Sequence, residues 1–335
     1  MVGKDRSGAE SPILHLKGEF NMIVPLREGY DKERLLIGGK AKNLSKMMKA
    51  GIEVPDGFII TSDALSHFIK THHLAEQIDY LIQTEENPNQ KIQQCFLSHE
   101  MPSDLEKEIR SAYDALRSSS GGSHVSVRSS AAAEDLQHQS FAGQYETYLN
   151  IGSYDHLVES IKKCWVSIWS DQALRYVQHA EMNSKSSKIS ILVQVMIQAD
   201  ISGVAFSVNP ITSDSDEVVI NCSYGLGESV VSGLVTPDMF IVSKLNHDVI
   251  HRELGDKECK IIGTAEGIEE VPTSQQESSS FCVNEEQLKK LTEIVQEIED
   301  YYQYPVDIEF GIRNDDIYVL QTRPITTLKE VTEVD

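Results

Sequence analysis

A short β-branched strand that ends in an arginine most constrains what this chain can fold into. The strand is Val125-Ser-Val-Arg128, two serines follow it, and a glycine turn lies further on in Phe141-Ala-Gly-Gln-Tyr-Glu-Thr147. A guanidinium forks across phosphate oxygens, and a glycine lets the backbone approach them closely. The segment therefore indicates a strand that presents a polyphosphate-binding arginine, although Arg128 alone could also be an ordinary surface residue.

Two glycine-containing segments add to this indication. Gly38-Gly39-Lys40 opens a predicted helix, where glycines let backbone N–H groups approach a phosphate and Lys40 adds a point charge. Tyr224-Gly-Leu-Gly-Glu228 is compatible with a phosphate loop or with a strand-to-helix turn. It has neither the glycine and lysine spacing of a P-loop nor the glycine spacing of a dinucleotide fold. Each segment alone is weak evidence, since most such glycines lie in ordinary turns.

The last part of the sequence predicts a β-hairpin that carries metal-binding and phosphate-binding side chains. Strands over residues 306–312 and 317–322 flank a polar turn. Because strand side chains alternate, we expect Glu309 opposite or adjacent to Gln321, and Arg323 one pleat away. A carboxylate beside an amide oxygen suits Mg²⁺, which keeps other positions for water and phosphate. The alternative is a structural Glu–Arg pair on a sheet face, but the three regions together indicate an ATP site.

Composition limits the classes of partner. The 335 residues, 40% of them hydrophobic, are enough for two or three lobes with real cores. With 52 acidic and 30 basic residues, the formal charge of -22 disfavours nucleic acid and anionic membranes. The five cysteines form no close Cys-x-x-Cys pair, which favours reduced, packed thiols over disulfides or a zinc site. The polar start and short apolar runs favour a cytoplasmic protein.

The chain divides into a lead-in and two lobes. Residues 1–20 read as loosely ordered, residues 21–188 as an α/β lobe, and residues 189–328 as a sheet-rich lobe that carries the metal ligands. In the first lobe we expect a helix from Gly39 to Gly51 and a long amphipathic helix over about residues 154–180. In the second we expect strands near residues 189–197, 203–208, 218–223 and 239–243, a polar loop at 273–280 and a helix at 285–301.

The ordered series of motifs closely resembles a known family. The family is the ATP-binding, ATP-grasp-like domain shared by phosphoenolpyruvate synthase, pyruvate phosphate dikinase and rifampicin phosphotransferase. The resemblance covers the chain from about Gly38 to Thr327. It is carried, in family order, by GGKAKNL, VPDGFIIT, VRSSAAAEDL, SFAGQYETYLNI, SGVAFSVNPIT, YGLGESVVSG, DIEFGI and QTRPITT.

The resemblance implies an α/β (α+β), two-lobed ATP-grasp-like fold that binds ATP and Mg²⁺ between its lobes. The positions that match the family's nucleotide contacts are Lys40, Arg128, Gly143, Thr147, Gln194, Glu309, Gln321 and Arg323. The three cations correspond to the catalytic phosphate contacts, and Gly143 and Thr147 to the loop that covers the phosphates. Gln194 corresponds to an adenine-side contact, and Glu309 and Gln321 to the Mg²⁺ ligands.

The resemblance also implies an activity that needs a second domain. In the family, ATP gives its β-phosphoryl group to a histidine on a mobile domain, its γ-phosphoryl group goes to water or phosphate, and AMP remains. We find no match to the histidine domain or to the substrate domain after Thr327, and His124 and His138 are weak substitutes. We therefore expect a piece of a longer enzyme, a stand-alone subunit that feeds a partner, or a kinase that acts directly on a small molecule. A non-catalytic ATP-sensing module is the alternative class.

Overall fold

Helices and strands alternate along the chain and assemble around two main sheets. The computed structural model describes residues 22–131, 146–170, 188–265 and 267–325. The strands are β1 (Ile23–Pro25), β2 (Gly57–Ile60), β3 (Val125–Ala131), β4 (Thr147–Ile151), β5 (Ile189–Val195), β6 (Ile201–Phe206), β7 (Glu217–Tyr224), β8 (Asp238–Ser243), β9 (Val249–Glu253), β10 (Cys259–Thr264), β11 (Gly267–Pro272), β12 (Val306–Arg313) and β13 (Asp316–Pro324). The helices are α1 (Arg34–Ile37), α2 (Gly39–Ala50), α3 (Ser62–Thr71), α4 (Ala75–Thr84), α5 (Pro88–Ser98), α6 (Ser103–Ser119), α7 (Tyr154–Val166), α8 (Glu228–Val231), α9 (Gln275–Ser278) and α10 (Glu285–Tyr302).

The first lobe is built on a five-stranded sheet with the order β1-β2-β5-β3-β4. Strand β5 pairs antiparallel with both β2 and β3, at the centre of this sheet. Our prediction that the second lobe begins at residue 189 was therefore wrong for this strand. The sequence misled us because a continuous run of β-branched residues identifies a buried strand but not the sheet to which it belongs.

The second lobe is built on a six-stranded sheet with the order β13-β12-β6-β7-β8-β9. The predicted hairpin of β12 and β13 is present, and Asn314 and Asp315 at its turn both have positive φ, 50° and 68°. Two consecutive left-handed residues are typical of the tight turns that match the twist of a hairpin, and asparagine and aspartate tolerate that conformation well.

Two hydrophobic cores hold these sheets in place. One lies between the five-stranded sheet and the surrounding helices, and it includes Trp165 and Phe68, both fully buried. The other contains side chains of both lobes, among them Leu44 of α2, Leu192 of β5 and Phe310 of β12. Because this second core is continuous, the two sheets share buried apolar surface, which stabilises their arrangement.

Several predicted elements have different bounds in the structure. The helix from Tyr154 ends at Val166 and continues as a 3-10 turn to Trp169, and residues 171–180 lie outside the described ranges. The predicted polar loop at 273–280 contains the short helix α9, whose start is fixed by a capping box of Ser274 and Glu277. Strands β9, β10 and β11 were missed. Nearly all of their residues are exposed or half-buried, so the burial alternation that identifies strands is weak.

The helix α2 has the bounds that its sequence predicted. It ends at Ala50, where Gly51 adopts a left-handed conformation with φ 94° and donates to carbonyls of the last turn. The five cysteines are free thiols, as predicted; Cys95, Cys164, Cys222 and Cys282 are buried and Cys259 is partly exposed. None of the helices in the described ranges is long and apolar enough to cross a bilayer.

Candidate functional site

One face of the six-stranded sheet carries the predicted metal ligands in a row that crosses five strands. Directly paired residues of an antiparallel sheet share a face, so strand register defines such rows. The row runs across the sheet as Gln321, Glu309, Val204, Asn221 and Met239. A parallel row lies two residues along each strand and consists of Arg323, Asp307, Phe206, Val219 and Ile241. We call this surface the site face.

The opposite face of the same sheet is apolar and closed. Val306, Ile308 and Phe310 alternate with the residues of the site face along β12, and all three are fully buried in the second core. Val204, Asn221, Glu309 and Gln321 are instead only partly buried. The site face therefore remains accessible to a ligand while the other face anchors it.

Glu309 and Gln321 are register partners, as we predicted. A β-bulge follows at once, because Phe310 pairs with Val319 and leaves Leu320 as the extra residue of β13. A bulge bends its strand and changes the direction of nearby side chains, and bulges are frequent beside functional sites. A carboxylate and an amide oxygen side by side can serve as two oxygen ligands of a hard cation.

Arg323 is held by a carboxylate that our sequence reasoning missed. Its Nε donates to both oxygens of Asp307, at 2.9 and 2.7 Å. Burial raises the pKa of Asp307, the charge and hydrogen bond of Arg323 oppose that rise, and the charge of Glu309 adds to it. The signal was present in the sequence, since Asp307 and Glu309 are two residues apart on a strand and must share a face.

Arg128 extends from the first lobe towards the hairpin of the second. It lies opposite Thr147 and Leu192 in the five-stranded sheet, and its Nη1 donates to the Leu320 carbonyl at 3.4 Å. Its Nε is buried and has no hydrogen-bond acceptor among the described residues. The structure thus brings Arg128 to the bulged strand that carries Gln321 and Arg323. Thr147, the neighbour of Arg128 on the edge strand β4, is exposed.

Lys40 lies where α2 meets β3, in contact with Ser129, the residue that follows Arg128. Its ammonium group donates to the Ser129 carbonyl at 3.2 Å, and the residue is only 6% exposed. Gly38 has φ 78°, and a Cβ at this position would lie 2.1 Å from the Ser130 carbonyl oxygen. The Ala41 N–H, in the first turn of α2, donates to the Ser130 hydroxyl at 3.2 Å. The first glycine of this motif is therefore required by packing against β3.

The remaining predicted residues are placed differently. Gln194 shares a sheet face with Arg128 but is 1% exposed, and its amide donates to the Pro55 carbonyl at 2.9 Å. Gly225 of the second glycine segment has φ 81°, and its Cβ would lie 2.4 Å from the Ile261 carbonyl, which identifies a tight turn under β10. Gly143 and His138 lie outside the described residues.

Comparisons with known proteins identify the family to which the chain is similar. Residues 34–335 match the family described as "Pyruvate phosphate dikinase, AMP/ATP-binding domain". The chain is 44% identical over 295 residues to the "Uncharacterized phosphotransferase YvkC" of Bacillus subtilis, an alignment that covers 88% of this chain and 34% of that protein. It is 36% identical over 332 residues to a "Probable phosphoenolpyruvate synthase" of Methanocaldococcus jannaschii, with 95% of this chain and 28% of that protein covered.

A further relative and one solved structure complete the comparison. The "Rifampicin phosphotransferase" of Bacillus subtilis is 34% identical over 326 residues, which cover 93% of this chain and 37% of the relative. The chain thus spans about a third of the length of these three curated relatives. A D-alanine–D-alanine ligase from Helicobacter pylori aligns with 60% of this chain and 42% of that one at 12% identity and a TM-score of 0.24, which is too low to support an argument. The family match and the relatives show that the chain belongs to the pyruvate phosphate dikinase AMP/ATP-binding domain family.

Proposed function

We propose that this chain is the ATP-binding unit of a dikinase-type phosphotransferase. It binds ATP and Mg²⁺ between its two lobes and donates the β-phosphoryl group of ATP to a histidine on a separate domain or partner. AMP and phosphate are the products. The proposal joins the family membership to the chemistry of the side chains on the site face.

The observation that carries the proposal is the convergence on strand β13. Gln321 pairs with Glu309, Arg323 is held by Asp307, and Arg128 of the other lobe reaches the carbonyl of Leu320 between them. A structural Glu–Arg pair would not require an arginine from the opposite lobe whose buried Nε has no acceptor within the ranges that the structure describes. A buried donor left in this way is costly unless a further group accepts from it, and a phosphate oxygen is a suitable acceptor.

The donor set fits Mg²⁺ with few protein ligands. Within residues 22–131, 146–170, 188–265 and 267–325, no group of three or more His, Cys, Asp or Glu side chains is arranged to hold a metal. Asp307 is engaged by Arg323, which leaves Glu309 and Gln321 as the available oxygen pair. Mg²⁺ bound beside a nucleotide commonly takes one or two protein ligands together with phosphate oxygens and water. When bound, the ion neutralises charge on the phosphate oxygens.

The residues of the chain itself act by positioning and charge neutralisation. Phosphoryl transfer needs the attacking and leaving groups in line, and it needs cations near the oxygens of the transferred group. Arg323, oriented by its contacts with both oxygens of Asp307, contributes its positive charge beside the phosphates from the second lobe. Arg128 contributes its positive charge from the first lobe, and Lys40 of α2 adds another beside Ser129 of β3. In this proposal the exposed Thr147 contacts the nucleotide at its phosphate end, and Gln194, whose amide is held by the Pro55 carbonyl, borders its adenine end.

Phosphorus NMR of ATP and Mg²⁺ with the full chain tests this function. We expect AMP and phosphate to appear only when a separately produced histidine-bearing domain of a relative is added. ADP formed by the chain alone would identify a self-contained kinase or ATPase instead. Tight ATP binding without any turnover, measured by calorimetry in the presence of the added domain, would identify an ATP-sensing module.

A further inference from the structure

Two buried thiols of the second lobe are in direct contact. The Cys282 thiol donates to the Cys222 sulfur, with the two Sγ atoms 3.3 Å apart. Cys222 lies in β7, and Cys282 lies in the segment just before α10, 60 residues further along the chain. Sulfur atoms of a disulfide are about 2.05 Å apart, so little movement separates this contact from a covalent bond.

The carboxylate of Asp238 holds Cys282 beside Cys222. Asp238 is the register partner of Cys222 on β8, so both side chains share one face of the sheet. Its Oδ2 accepts from the Cys282 N–H at 2.8 Å, and its Oδ1 accepts from the Gly255 N–H at 2.9 Å. Lys257 forms an ion pair with Asp238, and both side chains are completely buried. The contact between the thiols is therefore fixed by a satisfied polar network as well as by packing.

We propose that Cys222 and Cys282 form a disulfide bond when the folded protein meets a hydroperoxide. One thiol is oxidised to a sulfenic acid, and the hydroperoxide is reduced to an alcohol, or to water in the case of hydrogen peroxide. The second sulfur then attacks the sulfenic sulfur, the S–O bond breaks, and the oxygen leaves as water with the proton of the attacking thiol. The two thiols lose two hydrogen atoms in total.

The reaction is slow in the resting protein and selective for this pair. The hydrogen bond with Cys222, together with burial and the neighbouring Asp238, raises the pKa of Cys282, and thiolates react faster than thiols. Selectivity comes from the second step, which needs a neighbouring thiol. Cys95 instead donates to the Gln77 side chain, and Cys164 donates to backbone carbonyls, so the hydrogen-bond partners of these two thiols are oxygen atoms.

The bond stabilises the second lobe and leaves the site face unchanged. Side chains alternate along β7, so Cys222 lies in the closed core while its neighbour Asn221 lies on the site face. The bond would close a loop of 60 residues and thereby restrict the unfolded chain. This inference holds whether or not the chain transfers phosphoryl groups.

Mass spectrometry of the full chain after peroxide treatment tests the proposal. Folded protein is treated with hydrogen peroxide, free thiols are alkylated, and the digest is analysed without reduction. We expect one dominant cross-link, between the peptides of Cys222 and Cys282, and a rise in melting temperature that dithiothreitol reverses. The same treatment in urea should give mixed pairs, because the native contact is then lost. Peroxide-treated folded chain that yields mixed pairs, or only oxidised Cys259, would overturn the proposal.

Matched variants assign the effect to this pair. Cys282→Ser should lose both the cross-link and the rise in melting temperature, whereas Cys95→Ser, which also changes a buried thiol, should keep both. If Cys95→Ser abolishes the cross-link as fully as Cys282→Ser, the pairing is wrong. If Cys282→Ser fails to fold, the comparison of folded and urea-treated wild-type protein decides on its own.

Discussion

Substitution of Asp307 should reduce phosphoryl transfer while leaving the free energy of unfolding nearly unchanged. It is 7% exposed and contacts Arg323 through both carboxylate oxygens. Asp307→Asn keeps the size and the backbone carbonyl that accepts from Thr322, but it removes the charge that orients the guanidinium. We expect phosphoryl transfer to fall about 10- to 100-fold, the range typical of residues that orient a functional group without contacting the substrate.

The stability of the same variant should hardly change. The pKa of Asp307 lies above its ordinary value of 3.8 because burial, the dominant cause, outweighs the attraction of Arg323. The folded protein therefore retains this proton at pH values where the unfolded chain has lost it. The contribution of Asp307 to the free energy of unfolding is largest below pH 3.8 and declines as the pH rises through the raised pKa. Arg323 is 36% exposed, so water solvates it once the charge is removed.

Rates and denaturation curves measured on one sample decide the outcome. Initial rates of AMP formation, with the histidine-bearing domain in excess, should show the loss of activity. At neutral pH, urea unfolding should give the variant a free energy of unfolding within about 1 kcal/mol of the wild-type value. The free energy of unfolding of the wild type minus that of the variant should decrease from about pH 4 to pH 7. Asp238→Asn is the matched control, because its pair with Lys257 is completely buried and its loss should cost about 3–5 kcal/mol. Full activity in Asp307→Asn, or destabilisation as large as that of the control, would refute this account of Arg323.

Three further outcomes follow from the same geometry. Glu309→Ala and Arg323→Ala should each reduce AMP formation by about two orders of magnitude or more while circular dichroism and melting temperature stay close to those of the wild type; collapse of the fold would contradict the placement of these residues on an open face. Gly38→Ala should lower the free energy of unfolding by about 2 kcal/mol or more, because φ is 78° and the new Cβ would lie 2.1 Å from the Ser130 carbonyl oxygen. Gly51→Ala is the control and should cost less, because Gly51 also has a positive φ but has open space around it. ATP with Mg²⁺ should compact the protein in small-angle scattering, since the two lobes supply opposite walls of the proposed site, and an unchanged radius of gyration would count against this.

The elements that the sequence predicted well are those whose signals are local. Glycine at both ends of α2, the polar turn at Asn314 and Asp315, and the alternation that pairs Glu309 with Gln321 all act within a few residues. Helix termination and strand alternation depend on backbone sterics, which neighbouring residues determine directly. These features could therefore be inferred before any tertiary contact was known.

The features that were mispredicted depend on partners distant in sequence. Strand β5 looks like any buried strand, and only its pairing with β2 and β3 assigns it to the first sheet. The packing role of Gly38 was missed as well, because its close neighbour, the Ser130 carbonyl, lies 92 residues further along the chain. Such contacts are long-range in sequence, and residue type alone does not specify them.

Strand β13 explains why the site and the connection between the lobes coincide. Its Val319 N–H donates to the Glu53 carbonyl, its Thr322 carbonyl accepts from Asn43 of α2, and its Leu320 carbonyl accepts from Arg128. The same strand carries Gln321 and Arg323 on the site face. The second core contains side chains of both lobes, including Val319 of β13. Because this core is closely packed, the lobes can move only if the contacts around β13 are kept. We therefore expect ligand-driven closure to move the parts of the lobes far from β13. The spacing between Arg128 and the hairpin, on which the proposed phosphate binding depends, should already be set before the nucleotide binds.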